Sequence, residues 1–83
     1  MIEAGLPDNA WTDVDPSAEA LLDRWRVAEG DRVEAGQPLA DAVLVKTSFE
    51  IVAPSRGVVE RILVAAGETF ARGKPVALLR DAD

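Results

Sequence analysis

Ser17, Ser48 and Ser55 carry hydroxyls that could act as nucleophiles. The chain has no histidine to take their proton, so Ser-His-Asp catalysis is excluded. It has no cysteine either, which removes thiolate chemistry, disulfides and zinc-finger spacings. Asp13, Asp15, Glu19 and Asp23 could be mistaken for a calcium loop. They lack the glycine and the terminal glutamate at calcium-loop spacing, so they read as a solvated acidic face and no metal is expected. No catalytic constellation remains, and a free-standing enzyme is not expected. What is left is Lys46, at the junction of two copies of one unit.

Those copies are related by a shift of 37 positions, which lays residues 21–42 on 58–79 without a gap. Arg24, Val27, Ala28, Gly30, Gly36, Pro38 and Ala40 fall on Arg61, Val64, Ala65, Gly67, Gly73, Pro75 and Ala77. Asp23 falls on Glu60, Asp31 on Glu68 and Val33 on Phe70. Each copy is expected to bury its apolar face against the other. Lys46 would fall on Asp83, the last residue. The segment that joins the halves is thus expected opposite an edge that carries the termini. A two-fold protein with one lysine at that junction suggests a carrier that presents it.

Composition bounds the rest. A chain of 83 residues reads as one domain, spanning 1–83. A chain this small buries only about 60% of the surface its unfolded form exposes. Closing a sheet on itself is one way to hold such a domain together. The apolar content of 48% argues against disorder. A net charge of −6 disfavours nucleic acid and anionic membrane surfaces as partners. No apolar run approaches a membrane span. The first eight residues lack the basic start and apolar stretch of a secretion signal, so a cytoplasmic location is the expectation.

The elements that must position Lys46 are strands. Residues 2–6 form a short strand candidate, ended by Pro7-Asp8. Residues 8–18 are rich in turn formers and read as a surface loop. Taken alone, 17–27 could be a helix capped by Ser17. Its counterpart, 58–64, is dense in β-branched residues, so both are assigned as strands. Each copy then turns at Gly30-Asp31 or Gly67-Glu68, and again at Gly36-Gln37-Pro38 or Gly73-Lys74-Pro75. Residues 39–44 and 76–79 close each copy, and 49–52 add a strand before Pro54 and Gly57. Trp25, Val33, Ile62 and Phe70 are expected in the core. Lys46 lies between 39–44 and 49–52, at a hairpin tip, although Asn-Gly and Asp-Gly are absent there.

The run Lys46-Thr47-Ser48-Phe49-Glu50-Ile51-Val52-Ala53-Pro54, followed by Gly57, resembles the biotinyl/lipoyl attachment domain family. Ile2-Glu3 and Leu6-Pro7-Asp8 at the start, 25–40, and 67–79 extend the resemblance over essentially the whole chain. No single piece is specific, but the ordered set is. The resemblance implies an all-β barrel-sandwich hybrid, a flattened barrel of two four-stranded sheets with Lys46 on an exposed hairpin. It implies that Lys46 is the attachment site of a covalent cofactor, lipoic acid before biotin. Such an arm needs a primary amine on a protruding tip, and a rigid base that raises the effective concentration of its end at several active sites. Acyl or redox chemistry would come from the cofactor. The implied partners are a lipoyl-attaching enzyme, 2-oxoacid dehydrogenase-type or glycine-cleavage-type enzymes, and a flavin-dependent dihydrolipoamide reductase.

The chain departs from the family pattern at three points. Lipoyl domains of 2-oxoacid dehydrogenase complexes usually read Glu-Thr-Asp-Lys-Ala, where this chain reads Val43-Leu44-Val45-Lys46-Thr47. The acids missing at Val43 and Val45 help the attaching enzyme recognise its target. If that enzyme requires an acid beside the lysine, Val45→Asp should raise modification. Valine before lysine is the pattern of the glycine-cleavage H protein, which is longer. Biotin domains place methionine on both sides of the lysine, and Val45 and Thr47 do not match. Two other readings stay open, a biotin carrier and an unmodified protein-interaction domain. The family's first loop lies near the lysine hairpin, so Trp11 is either a partner contact or a hydrophobic plug. Glu50 either steers a partner or is a plain surface charge. Lys74, in a connecting turn, lacks the downstream pattern and is not expected to be modified.

Overall fold

The computed structural model describes residues 1–12, 14, 15 and 17–81. Asp13, part of the acidic face, and Asp83, the repeat partner of Lys46, lie outside the described residues. Among the described residues, eight strands make up the fold: β1 (Ile2–Ala4), β2 (Glu19–Trp25), β3 (Arg32–Val33), β4 (Pro38–Leu44), β5 (Thr47–Val52), β6 (Gly57–Ile62), β7 (Thr69–Ala71) and β8 (Ala77–Arg80). They form two four-stranded antiparallel sheets, ordered β1-β8-β6-β3 and β5-β4-β2-β7. The fold is all-β, as expected, and the ambiguous segment after Ser17 is the strand β2. Its alternation settles the matter, because Ala20 and Leu22 are buried while Glu19, Leu21 and Asp23 face water.

The repeat is written into the hydrogen bonds. The Gly30 N–H donates to Val59 O at 2.7 Å, and Gly67 N–H donates to Leu22 O at 2.7 Å. The bonds are returned one residue on: Val59 N–H donates to Asp31 O and Leu22 N–H to Glu68 O, both at 2.9 Å. Every member of one set is the 37-residue partner of a member of the other. Each half therefore clamps its first turn onto the other half's long strand. Asp31 and Glu68 brace those turns, accepting the N–H of Ala28 at 2.9 Å and of Ala65 at 2.8 Å. The glycines hold φ of 93° and 90° in the same places, where other residues are strained. Register shifts between Leu22 and Arg24 and between Val59 and Arg61 also correspond.

Both sheets feed one core. Leu22, Leu39, Leu44 and Ile51 from one meet Val33, Val59 and Leu79 from the other. Val33 and Phe70 are buried as expected, but Trp25 and Ile62 are only half-buried and pack on the core's edge. The indole explains the placement of Trp25. Its N–H donates to Val64 O at 2.8 Å, so the ring must sit where it reaches the other half's backbone. The start of the 8–18 loop is more structured than its turn-rich sequence predicts. A 3-10 turn over Asp8–Trp11 drives Trp11 inward to 3% exposure, edge-on to Phe70 with ring centroids 6.4 Å apart.

Candidate functional site

Lys46 sits where β4 turns into β5. Leu44 pairs with Thr47, which leaves Val45-Lys46 as a two-residue turn. The turn has no glycine or asparagine, yet Val45 holds φ at 60°. Positive φ at the first central position is the signature of a II′-type hairpin turn, which glycine normally fills. Lys46 is exposed, and among the described residues its amine makes no ion pair within 4.0 Å. A primary amine on a protruding turn, over a hairpin whose inner residues Leu44 and Ile51 are locked in the core, fits a covalently attached acyl group. It leaves such a group free to move on a fixed base.

The first loop flanks this tip. Asn9, Ala10 and Val14 on one side and Leu44, Val45 and Phe49 on the other line an open cleft. The Asp15 carboxylate accepts the N–H of Ser17 at 2.9 Å and its hydroxyl at 2.8 Å, which holds it below the usual carboxylate range. Trp11 is a hydrophobic plug rather than a partner contact. It closes the end of the barrel on Phe70 and presents almost no surface to a partner.

The outer face of the lysine-bearing sheet carries an ion network that no sequence motif announces. Asp41 accepts from Arg24 Nε at 2.7 Å and from Arg26 at 3.0 Å, and Arg26 also reaches Glu50 at 3.6 Å. Hydrogen bonds from Arg24 and then Arg26 hold the Asp41 carboxyl below its ordinary range. Arg26 is raised in turn, chiefly by its hydrogen bond to Asp41. Glu50 is thus the outer member of a structural network. The signal for it is the register, in which Arg24, Asp41 and Glu50 stand side by side on three adjacent strands. Register is not legible before the strands are paired.

Lys74 lies exposed in the turn before β8, where its backbone N–H donates to Ala71 O at 3.1 Å. It is not on a hairpin tip. Among the described residues, no helix is long and apolar enough to cross a membrane.

With two sandwiched sheets, matching turns in the two halves and an exposed lysine on a tight hairpin, the structure has the barrel-sandwich architecture of an attachment domain. A family model described as "Biotin-requiring enzyme" matches residues 15–79, and the chain belongs to this biotinyl/lipoyl attachment family. It is 37% identical over 65 residues to the dihydrolipoyllysine-residue acetyltransferase component of the pyruvate dehydrogenase complex of Zymomonas mobilis, covering 77% of this chain and 15% of that protein. It is 34% identical over 62 residues to the pyruvate dehydrogenase E1 component subunit beta of Rhizobium meliloti, covering 74% of this chain and 14% of that protein. The chain therefore spans only a small part of the curated relatives it matches. The fold matches the lipoyl domain of the 2-oxoglutarate dehydrogenase complex of Azotobacter vinelandii with a TM-score of 0.78 over the whole of both chains, at 22% identity.

Proposed function

We propose that residues 1–83 act as one carrier domain whose Lys46 holds lipoic acid in amide linkage. The arm would pass acyl groups or reducing equivalents among enzymes of a 2-oxoacid dehydrogenase-type complex. The single observation that carries this reading is the placement of Lys46 alone on the exposed two-residue tip of a core-anchored hairpin. The matched family covers both cofactors, and the dihydrolipoyllysine-named relative favours lipoate over biotin. So does the sequence at the tip, where Val45 and Thr47 stand instead of methionines.

Attachment requires an activated lipoyl donor, an acyl-adenylate or thioester. The deprotonated amine attacks the acyl carbon, the Nζ–C bond forms, the donor's leaving group departs, and the amine's second proton goes to solvent. When bound, the dithiolane supplies the acyl-accepting and two-electron chemistry. The chain's own residues hold the base of the arm still. The implied partners are a lipoyl-attaching enzyme, an acyl-generating dehydrogenase of the pyruvate dehydrogenase type, and a flavin-dependent reductase that reoxidises the arm.

The test is the intact mass of the protein from its native host, with the adduct mapped to a residue. A lipoyl increment on Lys46 is expected in the wild type and none in Lys46→Arg, with the far-UV spectrum of the two unchanged. Guanidinium keeps the charge but not the acylable amine. A biotinyl increment, a bare lysine, or an adduct on Lys74 would overturn the reading.

A further inference from the structure

The turns, cross-half hydrogen bonds and register shifts of the two halves correspond, so their outer faces can be compared position by position. Leu21 and Val58 are repeat partners, and both face outward between two neighbouring strands. Val58 is only 7% exposed. Its cross-strand neighbours are Arg32 and Arg80, whose aliphatic stems can cover it while their heads stay in water. The same places beside Leu21 are taken by Thr69 and Val43, and Leu21 is 38% exposed. This less covered row, with Leu21 exposed and Val43 half-buried, lies on the sheet that carries Lys46. Two residues beyond Val43, Val45 is 68% exposed beside the lysine.

The charges around this row are of two kinds. Arg24, Arg26, Asp41 and Glu50 are paired with one another. Glu19 and Asp23, on either side of Leu21 along β2, form no ion pair among the described residues, and Glu19 only accepts the Thr69 hydroxyl at 3.0 Å. The surface is thus an apolar centre with an acidic rim.

Resting on the reading of Lys46 as the attachment site, we propose that Leu21, Val43 and Val45 form the docking surface for the enzyme that acylates Lys46. That enzyme meets them with an apolar patch bordered by basic side chains. Charge complementarity sets the rim. The occupant follows from position, since a protein that forms a bond to Nζ has to enclose the tip and so covers Val45 and the strand behind it. Recognition here runs through apolar contact at the places where the family pattern has acids.

The test expresses wild type and variants in the native host and reads the modified fraction by intact mass, early after induction, before the wild type is fully modified. Leu21→Lys and Val43→Glu are expected to lower it at least tenfold, with thermal unfolding close to the wild type because both sites face outward. Glu19→Gln combined with Asp23→Asn should lower it several-fold. Leu63→Lys, at a 41%-exposed leucine beyond β6 on the other sheet, should leave it unchanged. A modified fraction that holds in Val43→Glu overturns the proposal, and one that rises also restores recognition by acids. So does an equal fall in Leu63→Lys, or a wild-type dimer that Leu21→Lys dissolves, which would assign the surface to a second copy. A wild type without an adduct on Lys46 overturns the attachment reading itself. An adduct indifferent to the row overturns only the docking surface.

Discussion

Val45 holds a conformation that a β-branched side chain resists. A single non-glycine residue at positive φ costs about 1–2 kcal/mol, and branching at Cβ makes it worse. With its side chain largely in water, Val45 regains little of this through burial. Val45→Gly is therefore expected to stabilise the protein by about 0.5–1 kcal/mol, after the greater unfolded-state freedom of glycine is subtracted. Urea denaturation of the two proteins checks it, and a loss of stability would mean that the turn is not strained. The tip was legible in the sequence only through its flanks. Strands at 39–44 and 49–52 bracketed Lys46, but nothing in Val-Lys advertises a tight turn. The pairing of Leu44 with Thr47 forces the conformation on it.

Among the elements, β6 begins at a position with no room for a side chain. A Cβ on Gly57 would lie 2.5 Å from the Arg80 carbonyl oxygen on β8, a backbone atom that cannot swing away. Gly57→Ala should cost more than the about 1 kcal/mol typical of a point mutation, with a lowered thermal midpoint. The sequence marked Gly57 as the end of a turn. The close approach that requires it appears only when β6 and β8 are paired. Strand identity was more legible than strand neighbours. The repeat turned an ambiguous 17–27 into a strand because its partner could be nothing else, whereas the 3-10 turn that buries Trp11 has no repeat partner to reveal it.

The ion network on β2, β4 and β5 gives this sheet an acid-side dependence. The folded Asp41 carboxyl is depressed below its unfolded value of about 3.9. Its contribution is therefore fully present above that pH and is lost as pH falls through the folded value. The stability difference between wild type and Asp41→Asn should be constant near neutrality and close below about pH 4. It should narrow in high salt, because these side chains stand in water. Denaturation series at several pH values would show it, and a gap that persists in strong acid would assign the effect of Asp41 to packing instead.

In the whole molecule, the first turns and long strands of the two halves hydrogen-bond to each other, so neither half has its bonds satisfied alone. Phe70 belongs to the second half, yet it packs under Trp11 in a core to which both sheets contribute. Phe70→Ala is expected to cost about 3–5 kcal/mol. The whole fold should lose that stability in one transition, with tryptophan fluorescence and far-UV circular dichroism giving the same midpoint. Separate midpoints would mean that the halves fold independently. The two-fold itself was the most legible property of the chain, because glycine and proline spacing survives where side chains diverge. Asymmetries such as the bare Leu21 against the covered Val58 were invisible, since they depend on which residues stand across the strands.

The pairing of β1 with β8, Ile2 beside Leu79 and Ala4 beside Ala77, has a mechanical consequence. Antiparallel neighbours place residues 2 and 79 at the same end, and β5 runs from the lysine tip to Val52 and then to Gly57 at the level of that end. Tension between the two ends of the chain would load the β1–β8 bonds in succession, as in a zipper. Tension between Lys46 and either end would pull along the β4–β5 hairpin, from its tip to its base, and load many bonds together. The molecule is a soft link for a chain pulled through its ends and a stiff strut for a load carried on its lysine.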